Sequence, residues 1–217
     1  MLDSLSPILL LTLAVSSTAL LVAAVIGLPL GAFLALRPVP GKRLIELLIY
    51  TGMGLPPVVV GLAVYLLLSR SGPLGALGWL FTPSAMIVAQ IIIALPVVIG
   101  LTMSAVESVD PALKLQLRAL GATPAQVMWT LLGEARLGVL SAIIAAFGSI
   151  ISEVGAVLLV GGNIEGQTRM LTTAIVLETR KGNFELALAL GAVLLSLAFW
   201  VNFGMVRLGR RADAPWR

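Results

Sequence analysis

The sequence predicts an all-α integral membrane protein with five transmembrane helices per chain, and three observations carry that reading. First, 59% of the residues are hydrophobic and 11% charged, whereas soluble domains carry about 25% charged residues. Second, apolar runs occupy 7–36, 44–68, 84–106, 138–161 and 185–208, each long enough to cross ~30 Å of hydrocarbon at ~1.5 Å per residue. Third, the segments between them are too polar or too short to cross. Backbone groups in lipid must find partners inside the chain, so the runs should be helices rather than open strands. The expectation is one membrane domain over 1–217.

Taken in order, the first run follows Met1-Leu2-Asp3-Ser4, which lacks a basic residue, and it outlasts the ~7–15 residues of a signal-peptide core. It therefore reads as a retained span. Within it, Gly27 and Gly31 have the spacing that lets two helix backbones approach closely. The second run contains Gly54-Leu55-Pro56-Pro57, where two successive residues without an N–H predict either a packed kink or an unwound segment lining a path. The third contains Pro96. Between them, 72–83 holds Trp79 and Phe81 and reads as a loop at the outer interface, where aromatic rings are favoured. The fourth run holds Glu153, the one carboxylate well inside a span, ~22 Å along the helix from Gly138. Intramembrane ionisable groups face a cavity or a partner, which leaves a structural hydrogen bond or a gate as its role.

Orientation follows from charge. With the amino terminus outside, ten basic residues fall inside (Arg37, Lys42, Arg43, Lys114, Arg118, Arg136, Arg207, Arg210, Arg211 and Arg217) and four outside (Arg70, Arg169, Arg180 and Lys181). The positive-inside rule selects this arrangement, with the carboxy terminus cytoplasmic. The net charge of +4 is thus a topological signal, not a nucleic-acid surface. Cysteine and histidine are absent, which removes thiol chemistry, thiolate or imidazole metal sites and histidine-based triads. No lysine sits in a phosphate-binding loop of the Gly-x-x-x-x-Gly-Lys type, so the chain is expected to hydrolyse no nucleotide and to be a transporter component, not an enzyme.

The cytoplasmic loop 108–137 is built like two short helices. Asp110 can cap the first, Pro111 opens it, and Gly121 supplies a left-handed stop. Thr123 can cap the second, with Pro124 at its first position and Gln126 at capping-box spacing. Val127 and Leu131, flanked by Met128, Leu132 and Ala135, form an apolar stripe. That stripe suits a protein partner, the membrane surface or the chain's own bundle equally well.

The same loop, from Asp110-Pro111-Ala112 through Leu120-Gly121-Ala122-Thr123-Pro124, resembles the coupling loop of permeases of ATP-binding-cassette importers. The family's Glu-Ala-Ala positions fall on Leu115, Gln116 and Leu117 and do not match. Further on, Ser152-Glu153-Val154-Gly155-Ala156, Gly161-Gly162-Asn163-Ile164 and Leu171-Thr172-Thr173 resemble the signature of molybdate, tungstate and sulfate permeases, the tungstate branch above all. The resemblance implies a type I importer permease fold in a prokaryotic inner membrane, with an oxyanion, tungstate before molybdate or sulfate, as cargo. An ion-coupled secondary carrier is the alternative from another class. Implied partners are a dimer of cytoplasmic ATPase subunits, which would hold ATP and Mg, an extracytoplasmic substrate-binding protein, membrane lipid and a second copy of the chain. No cofactor is expected on the chain itself.

For the ATPase contact the resemblance points to Leu120, Gly121, Ala122, Thr123, Pro124, Val127 and Met128; for pathway or gate, to Pro56, Pro57, Glu153, Gly155, Asn163, Thr172 and Thr173. Asn163 and Gly166 suit a tight turn, because both tolerate positive φ. Thr168, Thr172 and Thr173 can offer hydroxyls either to an oxyanion or to backbone carbonyls. A carboxylate repels a dianion, so ionised Glu153 is a poor direct ligand.

Overall fold

The computed structural model describes residues 2–211, with side chains from 5 to 207, and every regular element among them is helical. In chain order these are α1 (Leu2–Leu36), α2 (Lys42–Met53), α3 (Pro57–Leu68), α4 (Pro83–Glu107), α5 (Pro111–Ala119), α6 (Pro124–Glu134), α7 (Arg136–Ile151), α8 (Gly155–Gly161), α9 (Leu171–Arg180) and α10 (Phe184–Arg211). A single 3-10 turn, Gly75–Leu77, lies between α3 and α4.

Three segments, Leu5–Leu36, Pro83–Glu107 and Phe184–Arg207, are long and apolar enough to cross a membrane, and two bent helix pairs raise the number to five. The second run is one of those pairs: α2 and α3 meet at 100°. The cause is local. Pro56 and Pro57 have no N–H to continue the ladder, so α2 closes with Gly54 N–H on the Thr51 carbonyl at 3.1 Å and Leu55 N–H on the Gly52 carbonyl at 3.3 Å. Pro57 then opens α3 at the position where a missing donor costs nothing. Pro29 and Pro96, by contrast, are accommodated within unbroken helices.

The fourth run differs more from expectation. The sequence reading takes 138–161 as one span, but the helix stops at Ile151 and restarts at Gly155. A second bend, of 74°, separates α6 from α7.

Small residues set the centre of the bundle. At Gly31 a Cβ would come within 2.7 Å of the Ile99 carbonyl oxygen, and at Gly27 within 2.8 Å of Val98 Cγ1. These contacts hold α1 directly on α4, as the spacing of the two glycines predicts. Buried Ala19, Ala23, Ala94, Val98, Ala146 and Ile150 continue this seam onto α7. On one side Val60, Val64, Met86, Val157 and Val160 join α3 and α8 to it. At the opposite end, Ala32, Val106, Val127, Leu131 and Leu132 join α6. Helix α10 stands at the periphery and leaves Leu188, Leu195, Phe199 and Trp200 exposed, a surface suited to lipid or a second subunit.

Candidate substrate pathway and coupling segment

The break between α7 and α8 is held by its own side chains and by two from other parts of the chain. Ser152 turns back onto α7's last turn, its hydroxyl donating to the Gly148 carbonyl at 2.8 Å. Gln90, fully buried on α4, donates its amide to the Ile150 carbonyl at 3.0 Å. That bond satisfies a helix-end acceptor that hydrocarbon could not. Glu153 is buried, and its Oε1 accepts the Ala156 N–H at 2.9 Å, so the carboxylate caps the first turn of α8. From α9, the Thr172 hydroxyl donates to the Glu153 carbonyl at 2.9 Å.

Glycine lets α3 lie on this break. A Cβ on Gly155 would sit 2.6 Å from Val58 Cγ2, and one on Gly61 2.5 Å from Ala156 Cα. The Pro56-Pro57 interruption, which the sequence singles out, and the Glu153-Val154-Gly155 break, which it does not, therefore open neighbouring helices packed side by side. On α3, Val58, Val59, Leu62 and Leu66 remain exposed beside them.

The remaining pathway candidates lie apart from this cluster. Asn163 has φ of 52° and follows Gly162 at φ of 73°, so both take the left-handed region that a tight turn after α8 requires. Thr168 closes that turn, donating to the Gly161 carbonyl at 2.5 Å and accepting the Ile164 N–H at 2.9 Å. Thr173 bonds the backbone of Met170, accepting its N–H at 3.0 Å. Thr12 on α1 accepts the Leu171 N–H at 3.0 Å, which ties the start of α9 to the first helix. All of these hydroxyls are engaged with backbone. The role of Gln90 was not legible beforehand, because a lone glutamine in an apolar helix carries no sequence signal of its partner.

The second region is the loop containing α5 and α6. Asp110 Oδ1 accepts the Ala112 N–H at 2.8 Å. Gly121, at φ of 81°, ends α5, with its N–H on the Arg118 carbonyl and that of Ala122 on the Leu117 carbonyl, both at 3.0 Å. This paired arrangement is the Schellman closure a C-terminal glycine permits. Thr123 and Gln126 form the reciprocal capping box, at 2.8 and 3.3 Å. The expected helix pair and its turn are present.

Its apolar stripe is not free. Val127, Leu131, Leu132 and Ala135 are buried against Ala32 of α1 and Val106 of α4, with Met128 partly buried beside them. Val127 is therefore unavailable for a direct contact with another protein. The large apolar side chains exposed on α5, α6 and the turn between them are Leu115, Leu120 and Trp129, and Leu120 is 85% exposed. Gly121, Thr123 and Pro124 are exposed and Ala122 is half-buried.

Residues 27–214 match the model of a family described as a binding-protein-dependent transport system inner membrane component. A probable anion ABC transporter permease protein of Haloferax volcanii is 49% identical over 196 residues, covering 88% of this chain and 84% of the relative. The tungstate uptake system permease protein TupB of Peptoclostridium acidaminophilum is 40% identical over 195 residues, covering 90% and 86%. Among solved structures, a chain of the inward-facing MetNI methionine ABC transporter superposes with a TM-score of 0.79 over 98% of this chain and 97% of that one, at 21% identity. The fold is thus that of a type I importer permease.

Proposed function

Because the chain belongs to the family of binding-protein-dependent transport system inner membrane components, we propose that it is the permease subunit of an ATP-driven oxyanion importer, with tungstate as its cargo. The observation that carries the substrate class is the 40% identity to a tungstate uptake permease across 90% of the chain. Molybdate and sulfate are the neighbouring alternatives. The chain is an inner-membrane transport component and not itself an enzyme; ATP and Mg belong to a partner subunit.

In this reading the α5–α6 pair docks on a cytoplasmic ATPase subunit through Leu120, Gly121, Ala122, Thr123 and Pro124, with Leu115 and Met128 at the rim. Val127 acts from beneath, by fixing α6 on α1 and α4. Movement of the docked segment is thereby transmitted to the helices that bury it, as rigid bodies. Two copies of the chain would place the exposed α3 faces and the Glu153 breaks around a shared path, loaded by an extracytoplasmic binding protein. Glu153 and Thr172 hold the break, Gly155 admits Val58, and Pro56-Pro57 sets the angle of α3; Asn163 and Thr173 shape the segment that follows.

The test is uptake by proteoliposomes holding the chain, its ATPase subunit and its binding protein. Tungstate uptake should require ATP, and unlabelled tungstate should compete at lower concentration than molybdate or sulfate. Stronger competition by molybdate would reassign the cargo. Uptake by the chain alone, without ATP, would make it a secondary carrier.

Orientation has its own test. The amino end is placed outside and the coupling segment inside by the charge bias, to which residues 212–217, outside the described residues, contribute Arg217. In this cysteine-free chain, a cysteine replacing exposed Ser71 should react with an impermeant maleimide from outside, and one replacing exposed Ala119 only after the membrane is opened. The reverse pattern would overturn the assignment of the coupling segment.

A further inference from the structure

Where α1 leaves the membrane, it meets the α5–α6 pair across a cleft of about 360 Å³ into which Arg37, Lys114 and Arg118 are gathered, with Leu36, Pro124 and Val127 among its apolar walls. No carboxylate lines it. The contrast with nearby Lys42 is direct, since that ammonium is neutralised by Glu107 at 3.0 Å and Glu46 at 3.5 Å. Lys114 spends one donor on the Leu36 carbonyl at 3.1 Å, at the negative end of α1, and keeps two. Arg37 lies over the Phe33 ring at 6.0 Å and leaves its planar donor edge unused. A second, more apolar cavity of about 410 Å³ adjoins the first; it shares Leu36, Arg37 and Pro124 and is completed by Phe33 and Met128 among others.

Depth fixes what such a pair of cavities can hold. By length and composition the apolar segment of α1 ends at Leu36, with Arg37 the first basic residue after it and Phe33 one turn earlier, an order that suits Arg37 to the headgroup level and Phe33 to the edge of the hydrocarbon. A basic cleft at that level with an apolar cavity beside it matches a ligand with an anionic head and a greasy continuation. We propose that the cleft between the end of α1 and the α5–α6 pair binds the phosphate headgroup of an anionic phospholipid from the leaflet on that side, with the adjoining cavity taking the glycerol and upper acyl chain. Charge complementarity selects an anionic lipid over a zwitterionic one. The bound lipid would join the last turn of α1 to the segment read as the ATPase contact. Leu115, Leu120 and Gly121 line neither cavity and remain free for that contact, while Ala122, Thr123, Pro124 and Met128 form walls that the lipid and the ATPase subunit would meet from opposite sides. Lipid binding itself requires only that the chain spans a membrane; its effect on coupling rests on the reading above.

The experiment uses the assembled transporter, ATPase subunit included, exchanged into phosphatidylglycerol or phosphatidylcholine and then stripped by detergent washing while native mass spectrometry counts retained lipid. Phosphatidylglycerol should persist and phosphatidylcholine should not. The double variant Arg37→Gln, Arg118→Gln should lower retention about 30-fold, an amount expected for losing two cations at a membrane surface. The charge-preserving pair Arg37→Lys, Arg118→Lys should keep most of it, and Arg70→Gln, in the turn after α3, all of it. Equal retention by the wild type and the double Gln variant would overturn the proposal, as would equal retention of the two lipids. Displacement by excess inorganic phosphate would identify a free-anion site instead, and loss of the lipid on adding the ATPase subunit a protein-covered surface; either also overturns it. Tungstate uptake is not the readout, so failure here leaves the importer reading intact.

Discussion

Replacing Leu120 by Asp should abolish retention of the ATPase subunit and lower ATP-driven uptake at least ~30-fold, while the thermal midpoint of the chain itself should stay within ~1 °C. The size follows from the geometry of the segment. Leu120 is 85% exposed on the turn between α5 and α6, so in the free chain a charge there remains in water and costs little. Once docked, the same charge is buried in an apolar contact, and a central anchor of this kind is worth about 2 kcal/mol or more, which is ~30-fold in affinity. The neighbouring Gly121 gives a graded companion. Nothing lies within 4 Å of a Cβ built there, so the only penalty for a side chain is its φ of 81°. An L-residue pays about 1–2 kcal/mol for that conformation, and a β-branched one more. Gly121→Val should therefore loosen the turn and weaken docking more than Gly121→Ala does. The control is Val127→Asp, which places a charge in the buried contact with α1 and α4 and should destabilise the chain itself by several kcal/mol. A thermal shift in Leu120→Asp as large as that of Val127→Asp, or full ATPase retention by Leu120→Asp, would remove Leu120 from the docking surface.

The pair Leu120 and Val127 also shows where sequence reasoning runs out. Caps, a left-handed glycine and a proline at the first helical position are local signals, and the α5–α6 pair forms as they dictate. An amphipathic stripe states only that one face is to be covered. It is silent on what covers it, and here the chain's own α1 and α4 do so. The two interrupted spans divide in the same way. At Pro56-Pro57 the break follows from covalent structure and is legible. At Ser152 to Val154 no proline or glycine pair marks the stop; the helix ends because Gln90, Glu153 and Thr172 offer its backbone groups partners elsewhere, two of them from distant segments. Helix α9 is too short to register as a span, although its first four residues are buried. Long-range hydrogen bonding, not propensity, decides these places, which are also the places where the pathway candidates meet.

Glu153 is the strongest test of that last point. Its Oε1 accepts the Ala156 N–H inside the membrane domain, where an orphaned donor costs about 1–3 kcal/mol. Glu153→Gln keeps an acceptor of the same length in the same position, so assembly should be unchanged and uptake should fall no more than ~3-fold. Glu153→Leu fills the volume but leaves the Ala156 N–H unpaired next to α3, and it should lower the thermal midpoint by several degrees and uptake at least tenfold, consistent with ~1.4 kcal/mol per decade. The Thr172 bond gives an independent arm, since it goes to the Glu153 backbone carbonyl and survives any change of the Glu153 side chain. Thr172→Val removes only that bond, so its stability cost should appear in full on the Glu153→Gln background and add to it within ~0.5 kcal/mol. Uptake by Glu153→Gln then separates cap from gate. A cap requires an acceptor oxygen and not a charge; loss of transport in a normally assembled and normally stable Gln variant would show that the carboxylate's charge itself is used, and that the break at Glu153 moves by responding to it.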